Sequence, residues 1–508
     1  MTTTDSMQTY HAQTRRFFEK IAQEKARATG FVKNDSPLNG SLFLLSLVLT
    51  VFAKGTLALP DLGVMARRLR ARLKARLQPQ RQITGQAFKE RYTKVAVTWL
   101  QAMLVEALRF SLPHAGAEVV PLLQGFTAVK LLDATVIPLP ETLQAEFPGC
   151  GGGGAQAALK LYLVLDWLTG QYTTLQIKPG RKADQNMGEP FLADNQPGTL
   201  WLFDLGFFKV AFLAALAAAK SYFLCRLQAQ VQLWSENAAG VGEKLDLDEL
   251  LRRAPRETFE IAVRVGPPKA AVAARLVAVP VPREVANERR RKAHKKAKKS
   301  GRTPTQKTLA RLDWTLLLTN APAEQLPTTT VLTVYGVRWQ VELAFKLAKS
   351  DLQLDQTQAT EPQRVQCEFY AKLIALLLFN RLAGVAEDLL GEKISPVQLF
   401  RRMRGDLDQW LRVLGRGRAA TARDWLQLLG DYSQPSLRQA QSTLLRVQAL
   451  SETVAQQRQL LDPLGWLREK YANAAAGHAA FRQRLVLENV CWQAKPAVFQ
   501  RATATALP

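Results

Sequence analysis

The chain runs to 508 residues, with 68 lysines and arginines against 43 aspartates and glutamates, a formal charge of +25. That length, with 47% hydrophobic residues, excludes both a single small module and a disordered basic tail. An excess of positive charge repels itself unless a polyanion neutralises it, so nucleic acid is the first partner to expect.

Residues 15–112 read as helical, with apolar side chains at three- and four-residue spacing in Val64, Leu69, Leu73 and Leu77 and again in Val95, Trp99, Met103, Leu104 and Leu108. Between the two runs lies QITGQAFKERY, a Thr-Gly break and a basic segment. It suits a helix-turn-helix-like DNA reader or an ordinary helical bundle with solvated basic faces. The opening MTTTDSMQTYHAQTRR is polar and unlike a secretory leader, and the apolar stretch 41–53 is too short to span a bilayer. The expectation is a soluble, cytoplasmic, DNA-associated bacterial protein without membrane partners.

After Pro113 the pattern turns β-like. Residues 126–132 and 136–139 form an apolar run around Asp133, 158–165 a second and 172–177 a third, with Thr169-Gly170 as a turn. A polar, helix-compatible segment over 184–193 follows, then a strand over 199–203 ending at Asp204, an Ala-rich helix over 207–220 and a strand over 222–227. Three strands, helix, strand, helix, strand is the order of an RNase H-like sheet. Residues 228–333 break into short β-like pieces, FEIAVRV, AAVAARLVAVPV, TLLLTN and TTVLTV, around a basic run from Arg289 to Lys299. Like charges cannot pack on one another, so this run reads as a mobile loop suited to phosphates. From Val334 onward the pattern is helical, with Gly415-Arg416-Gly417-Arg418 as a loop within it.

The cysteines Cys150, Cys225, Cys367 and Cys491 are far apart, with no CxxC pair, which argues against zinc ribbons, Fe–S clusters and disulfide frameworks and for a reducing compartment. The histidines His11, His114, His294 and His478 are equally scattered, so a bound metal must take oxygen ligands. The Gly-rich stretch 149–154 lacks the Gly-Lys-Ser/Thr and the following helix of a phosphate-binding loop, and reads as a turn. No nucleotide cofactor is expected.

The chemistry concentrates in YGVRWQVELAFKLAKSDLQLD, starting at Tyr335. At 100° per residue Arg338, Glu342 and Lys349 share one helical face, with Tyr335 near it, while Val337, Val341, Ala344 and Ala348 form the opposite side and can pack on a sheet. A carboxylate is thereby set between two cations. Asp133 within the first strand and Asp204 at the end of the fourth are the acids that can join it. An inward acid is costly without a partner, and ligands collect at the carboxyl edge of open α/β sheets. Two strand acids and one helix acid make a hard oxygen donor set for a pair of Mg²⁺ or Mn²⁺ ions acting on a phosphodiester.

Tyr335, Arg338, Glu342 and Lys349 match the Y-(2)-R-(3)-E-(6)-K signature of the insertion-sequence-four family of DDE transposases. DATVIPLP, FPGCGGGGAQAALKL, KPGRKAD, DLGFF, LLLTN and KSDLQLD resemble that family's blocks in the same order, over about residues 130–355. The resemblance implies an α/β chain whose RNase H-like catalytic core is interrupted by a β-rich insertion and flanked by helical domains. The expected boundaries are an end-binding domain at 1–118, the core at 119–228 and 333–390, the insertion at 229–332, and a C-terminal helical dimerisation or DNA-contact domain at 391–508. It implies Asp133, Asp204 and Glu342 as the metal-binding catalytic triad, with two ions per site, and Tyr335, Arg338 and Lys349 as contacts to the DNA backbone. Trp314 is the candidate for stacking on a flipped base, and Lys160 and Arg181 are further phosphate contacts. The implied partners are transposon-end DNA with terminal inverted repeats, target DNA and a second copy of the chain, whose dimer surface would include 410–414 and 444–461. A catalytically retired DNA-binding relative and an RNase H-like nuclease are the alternatives.

Overall fold

A computed structural model describes residues 3–409 apart from 35, 73–82, 110–122, 124, 151–153, 187, 194, 238–239 and 391–393. The helices of the first hundred residues are α1 (Thr3–Arg15), α2 (Ala22–Ala28), α3 (Gly40–Lys54), α4 (Leu59–Arg72), α5 (Gly85–Lys89) and α6 (Lys94–Arg109). Asn39 caps α3 by accepting the Leu42 amide, and an apolar sequence on nearly every side sends α3 into the interior, with Leu44, Leu47, Val48 and Val51 fully buried. Trp99 of α6 is buried against Phe31, ring on ring at 4.4 Å, and gives its indole N–H to the Ala22 carbonyl. The basic segment of QITGQAFKERY begins as α5. A side chain at Gly85 would stand 2.6 Å from the Leu59 carbonyl oxygen, so glycine is what lets α5 meet the start of α4.

The strands are β1 (Val129–Leu139), β2 (Ala157–Asp166), β3 (Gln171–Pro179), β4 (Leu200–Phe203), β5 (Tyr222–Arg226), β6 (Leu233–Asn237), β7 (Gly240–Lys244), β8 (Phe259–Val265), β9 (Val272–Pro280) and β10 (Trp314–Thr319). They form one sheet in the order β3-β2-β1-β4-β5-β10-β9-β8-β6-β7. β1, β2 and β3 are an antiparallel meander, turned between β2 and β3 at Gly170 with φ +65°. β4 runs parallel to β1, and β5 parallel to β4 across α7 (Val210–Ala218), because a parallel neighbour needs a crossover. This half has the strand order expected of an RNase H-like core. The remaining strands extend the same sheet: β10 pairs antiparallel with β5 on one side and β9 on the other. Trp201, Phe203, Phe207, Phe212 and Phe223 pack with Val263, Leu276 and Leu318 in one core that crosses from the first half into the second.

Several local readings change. The helix-compatible segment 184–193 forms two short 3₁₀ turns, Asp184–Asn186 and Glu189–Leu192, whereas the run around Asp133 is one strand, as expected. The basic run is helix α9 (Arg283–Lys299), which follows α8 (Leu247–Arg253) and precedes α10 (Gln306–Arg311). Its residues are mostly strong helix formers, with Glu284 in the first turn and lysines in the last, the polarity that the helix dipole favours. TTVLTV lies in α11 (Thr328–Gly336), where burying Val331 and Val334 on one side overrides the strand preference of β-branched residues.

The chain then forms α12 (Trp339–Ser350), α13 (Pro362–Leu390) and α14 (Pro396–Gly405). α13 is long and apolar enough to cross a membrane, yet 89% of its most apolar window is buried inside the protein. The buried Lys372 donates from Nζ to the Gln353 and Gln356 carbonyls at 2.7 Å each and so fixes the loop after α12. The Gly/Arg segment 415–418 and the expected dimer surfaces at 410–414 and 444–461 lie outside the described residues.

Candidate active site

Parallel pairing of β1 with β4 sets Leu132 opposite Phe203, so the next residue on each, Asp133 and Asp204, emerges on neighbouring strands at the carboxyl edge. α12 packs over β1 with Val341, Ala344 and Ala348 buried, as is Val337 just before it, and Arg338 and Glu342 on its polar side face Asp133. Arg338, at the start of α12, donates from Nη1 to Asp133 Oδ2 at 3.2 Å and from Nη2 to Glu342 Oε1 at 2.7 Å. One guanidinium thus joins the strand acid to the helix acid.

The site is partly dry. The Asp133 side chain is 16% exposed, and burial pushes its carboxyl up to about 6, with Glu342 and Asp204 adding to the rise and the Ala134 amide and Arg338 opposing it. Burial pushes the Arg338 guanidinium down, but Tyr335, Asp133, Glu342 and Asp204 outweigh it and hold the group above its ordinary value. The Tyr335 ring sits 5.8 Å from Arg338 and 6.0 Å from Arg226, and burial pushes its hydroxyl up to about 12. These relations bring Asp133, Asp204, Tyr335, Arg338 and Glu342 into one cluster.

Three carboxylates suit a hard divalent cation, and their mutual repulsion at Asp133 is what such a cation would relieve. In this arrangement no three acid, histidine or cysteine side chains among the described residues stand close enough to enclose an ion. Arg338 is the cation between Asp133 and Glu342.

Lys349 lies on the same helix and donates to the Val136 carbonyl of β1 at 3.2 Å. Lys160 is engaged elsewhere, 2.8 Å from Asp184 Oδ1 and 3.0 Å from the Lys182 carbonyl. Arg181 is an exposed residue just beyond β3. Trp314 corrects the expectation for a stacking residue: it is 6% exposed in β10, edge-on to Phe259 at 5.5 Å, so its faces belong to the core and are closed to a base. Among the described residues the open tryptophan is Trp339, 56% exposed, beside Arg338 in sequence and one turn before Glu342. Sequence reasoning passed over it and over Arg226. Their signals were an aromatic on the helix of the acid and a lone arginine ending a strand parallel to β4.

Residues 124–378 match the model of the transposase DDE domain family. The transposase of insertion sequence element IS231F from Bacillus thuringiensis subsp. israelensis is 26% identical over 387 residues, 74% of this chain and 79% of that one. The transposase of IS1151 from Clostridium perfringens is 26% identical over 353 residues, 66% and 73% of the two chains. Among solved structures, the piggyBac transposase synaptic complex with hairpin DNA is similar with a TM-score of 0.43 and 11% identity, covering 84% of this chain and 85% of that one.

Proposed function

This chain belongs to the transposase DDE domain family, in its insertion-sequence-four-like branch, and we propose that it is a cut-and-paste DNA transposase whose catalytic acids are Asp133, Asp204 and Glu342. The observation that carries the assignment is the pair of bonds from Arg338, which ties the β1 acid to the α12 acid beside Asp204. Acids drawn from two separate segments meet at one cation, with a third, Asp204, adding its charge, where a purely structural ion pair would need only one of them.

Water attacks the phosphorus at the transposon end, breaks the bond to the 3′ oxygen and leaves a 3′-hydroxyl. That hydroxyl then attacks a phosphodiester of the opposite strand or of target DNA and displaces its 3′ oxygen. Two Mg²⁺ or Mn²⁺ ions held by Asp133, Asp204 and Glu342 would make the attacking oxygen more nucleophilic and stabilise the leaving one. Arg338 and Lys349 exchange their present partners for phosphate oxygens, the guanidinium able to give two parallel bonds. Tyr335 keeps Arg338 and Arg226 against its ring and so orients the basic wall of the site. Trp339 offers the open aromatic face for a base displaced at the cut.

The partners are DNA ends carrying terminal inverted repeats, target DNA and a second copy of the chain, with one protomer's acids serving the end held by the other. The helices before β1 read the end, and the chain after 391 supplies dimer and DNA contacts. The protein works on DNA in the bacterial cytoplasm. The decisive experiment incubates purified protein with linear DNA bearing the element's ends, with and without Mg²⁺, on a denaturing gel. Metal-dependent cuts at the repeat boundary are expected, and D133A, D204A and E342A should each lower the rate by on the order of 10³-fold or more with end binding retained. Cleavage that survives all three substitutions removes the assignment. Binding without any cleavage by the unaltered protein would point to a retired relative.

A further inference from the structure

Arg338 and Lys349 near the acids already have partners, whereas among the described residues the lysines that end α9 have no acid beside them. Arg289 and Arg290 fix this helix to the sheet, Arg289 donating to the Trp314 carbonyl at 3.0 Å and Arg290 pairing with Asp313. Ala286, Ala293 and Ala297 lie on the same inward side, buried or half-buried, and Lys295, Lys296, Lys298 and Lys299 project outward and are exposed. The acids of α9, Glu284 and Glu288, are confined to its first half, where Glu288 pairs with Lys292 and is also drawn on by Arg291. Among the described residues none of the four outward lysines has an acidic partner.

Between this helix and the catalytic acids the cations continue. Arg289 is held below its ordinary value, chiefly by burial and then by Arg226 nearby. Arg226 is the exposed end of β5, 6.0 Å from the Tyr335 ring, and that ring is 5.8 Å from Arg338. Arg338 and Arg226 therefore lead from the acids towards α9, where the inward Arg289 anchors the helix and the exposed lysines of its outer face continue the positive charge.

We propose that this track is a duplex-binding rail: the phosphate backbone of the DNA leaving the active site runs along Arg226 and the outer face of α9. The last nine residues of α9 extend about 13 Å beside a duplex that carries one charge per ~1.7 Å of axis, so each outward cation can meet a phosphate. Duplex is favoured over an anionic membrane because residues 291–299 contain no side chain more apolar than alanine to insert. It is favoured over an acidic protein because the track ends at a phosphoryl-transfer site. The inference rests on the transposase reading for the kind of polyanion, and adds where the DNA runs.

The test is the salt dependence of binding in EDTA, so that no cleavage occurs. Three labelled probes are used with the full-length protein: an end with its flank, an end already cut, and a duplex of arbitrary sequence. Replacing Lys295, Lys296, Lys298 and Lys299 together by Ala should reduce the slope of log affinity against log salt by roughly 3 to 4, about 0.9 for each phosphate no longer neutralised. The four Lys→Arg replacements should keep it. R226A should lower it by about one more. A reduction confined to the flanked probe assigns the rail to flanking DNA, and a reduction on all three assigns it to any duplex, target included. A slope that changes by less than about one on every probe overturns the proposal. If α9 behaves as proposed but the unaltered protein never cuts, the catalytic reading fails and the rail stands.

Discussion

The two halves of the sheet use positive charge in opposite ways. In the half formed by β3, β2, β1, β4 and β5, the cations closest to the acids are engaged with the protein itself: Arg338 with Asp133 and Glu342, Lys349 with the Val136 carbonyl, Lys160 with Asp184 and the Lys182 carbonyl, while Arg226 at the end of β5 stays exposed. In the half formed by β10, β9, β8, β6 and β7, α9 carries four exposed lysines without acidic partners among the described residues. A cation that neutralises a buried acid cannot also neutralise a phosphate, so the catalytic half must exchange partners to receive DNA. The other half is ready to receive it. Binding and catalysis should therefore respond separately to substitution, salt and metal.

The largest expected difference between the halves lies in two tryptophans. Trp314 fills the core of the second half, so W314A should cost about 3–5 kcal/mol of unfolding free energy. Trp339 is solvent-facing, so W339A should stay within about 0.5 kcal/mol of the parent while lowering the cleavage rate. Denaturant unfolding beside a cleavage assay measures both. Equal stability losses for the two would mean that the burial difference between them is not real in solution.

The titration of Asp133 gives the next effect. Its folded carboxyl titrates near 6 against 3.8 unfolded, so the folded protein binds this proton more tightly and loses stability as pH rises from about 4 to about 6. D133N has no charge to bury. It should match the parent below pH ~4 and exceed it by up to about 3 kcal/mol above pH ~6, at about 1.4 kcal/mol per pH unit. Mg²⁺ should narrow the gap by stabilising the ionised parent. Urea melts at a series of pH values test this, and a difference that is flat with pH would contradict the burial of Asp133. With Mg²⁺ bound, the pH at which cleavage falls should lie below this metal-free titration, because the cation favours the ionised carboxylate.

Removing the cation itself is the smallest and most specific perturbation. R338A leaves Asp133 and Glu342 facing each other and should cost about 1–2 kcal/mol without metal, with Mg²⁺ or Mn²⁺ restoring much of it. Thermal melts with and without the ion decide the matter, and a loss that metal does not restore would assign Arg338 to packing alone. Salt should weaken DNA binding by R338A nearly as steeply as by the parent, because the lysines of α9 remain.

Much of the site was legible in the chain because its parts are local. The spacing of Arg338, Glu342 and Lys349 puts them on one helical face without reference to anything else, and an apolar run around Asp133 and another ending at Asp204 mark strand acids by periodicity. Basic residues that form a helix could not be told from a loop in the same way, since charge repulsion and helix propensity pull in opposite directions. The anchoring of Arg289 and Arg290 to residues of β10 and its approach settles that balance. Burial was likewise hidden: Trp314 and Trp339 read alike until the sheet shows that Phe259 covers one while the other stands open to solvent.

The candidate acids, their neighbours on α12, the succession of strands from β1 to β5 and the basic character of 289–299 all follow from the chain alone, because each depends on neighbours within a few residues. Folding added what the chain could not state: that Arg338 bridges two acids from distant segments, that the second set of strands continues the first sheet through β10, and that a row of cations leads from Arg338 to α9. These relations depend on register and packing between segments far apart in the chain, and no local periodicity records such distances.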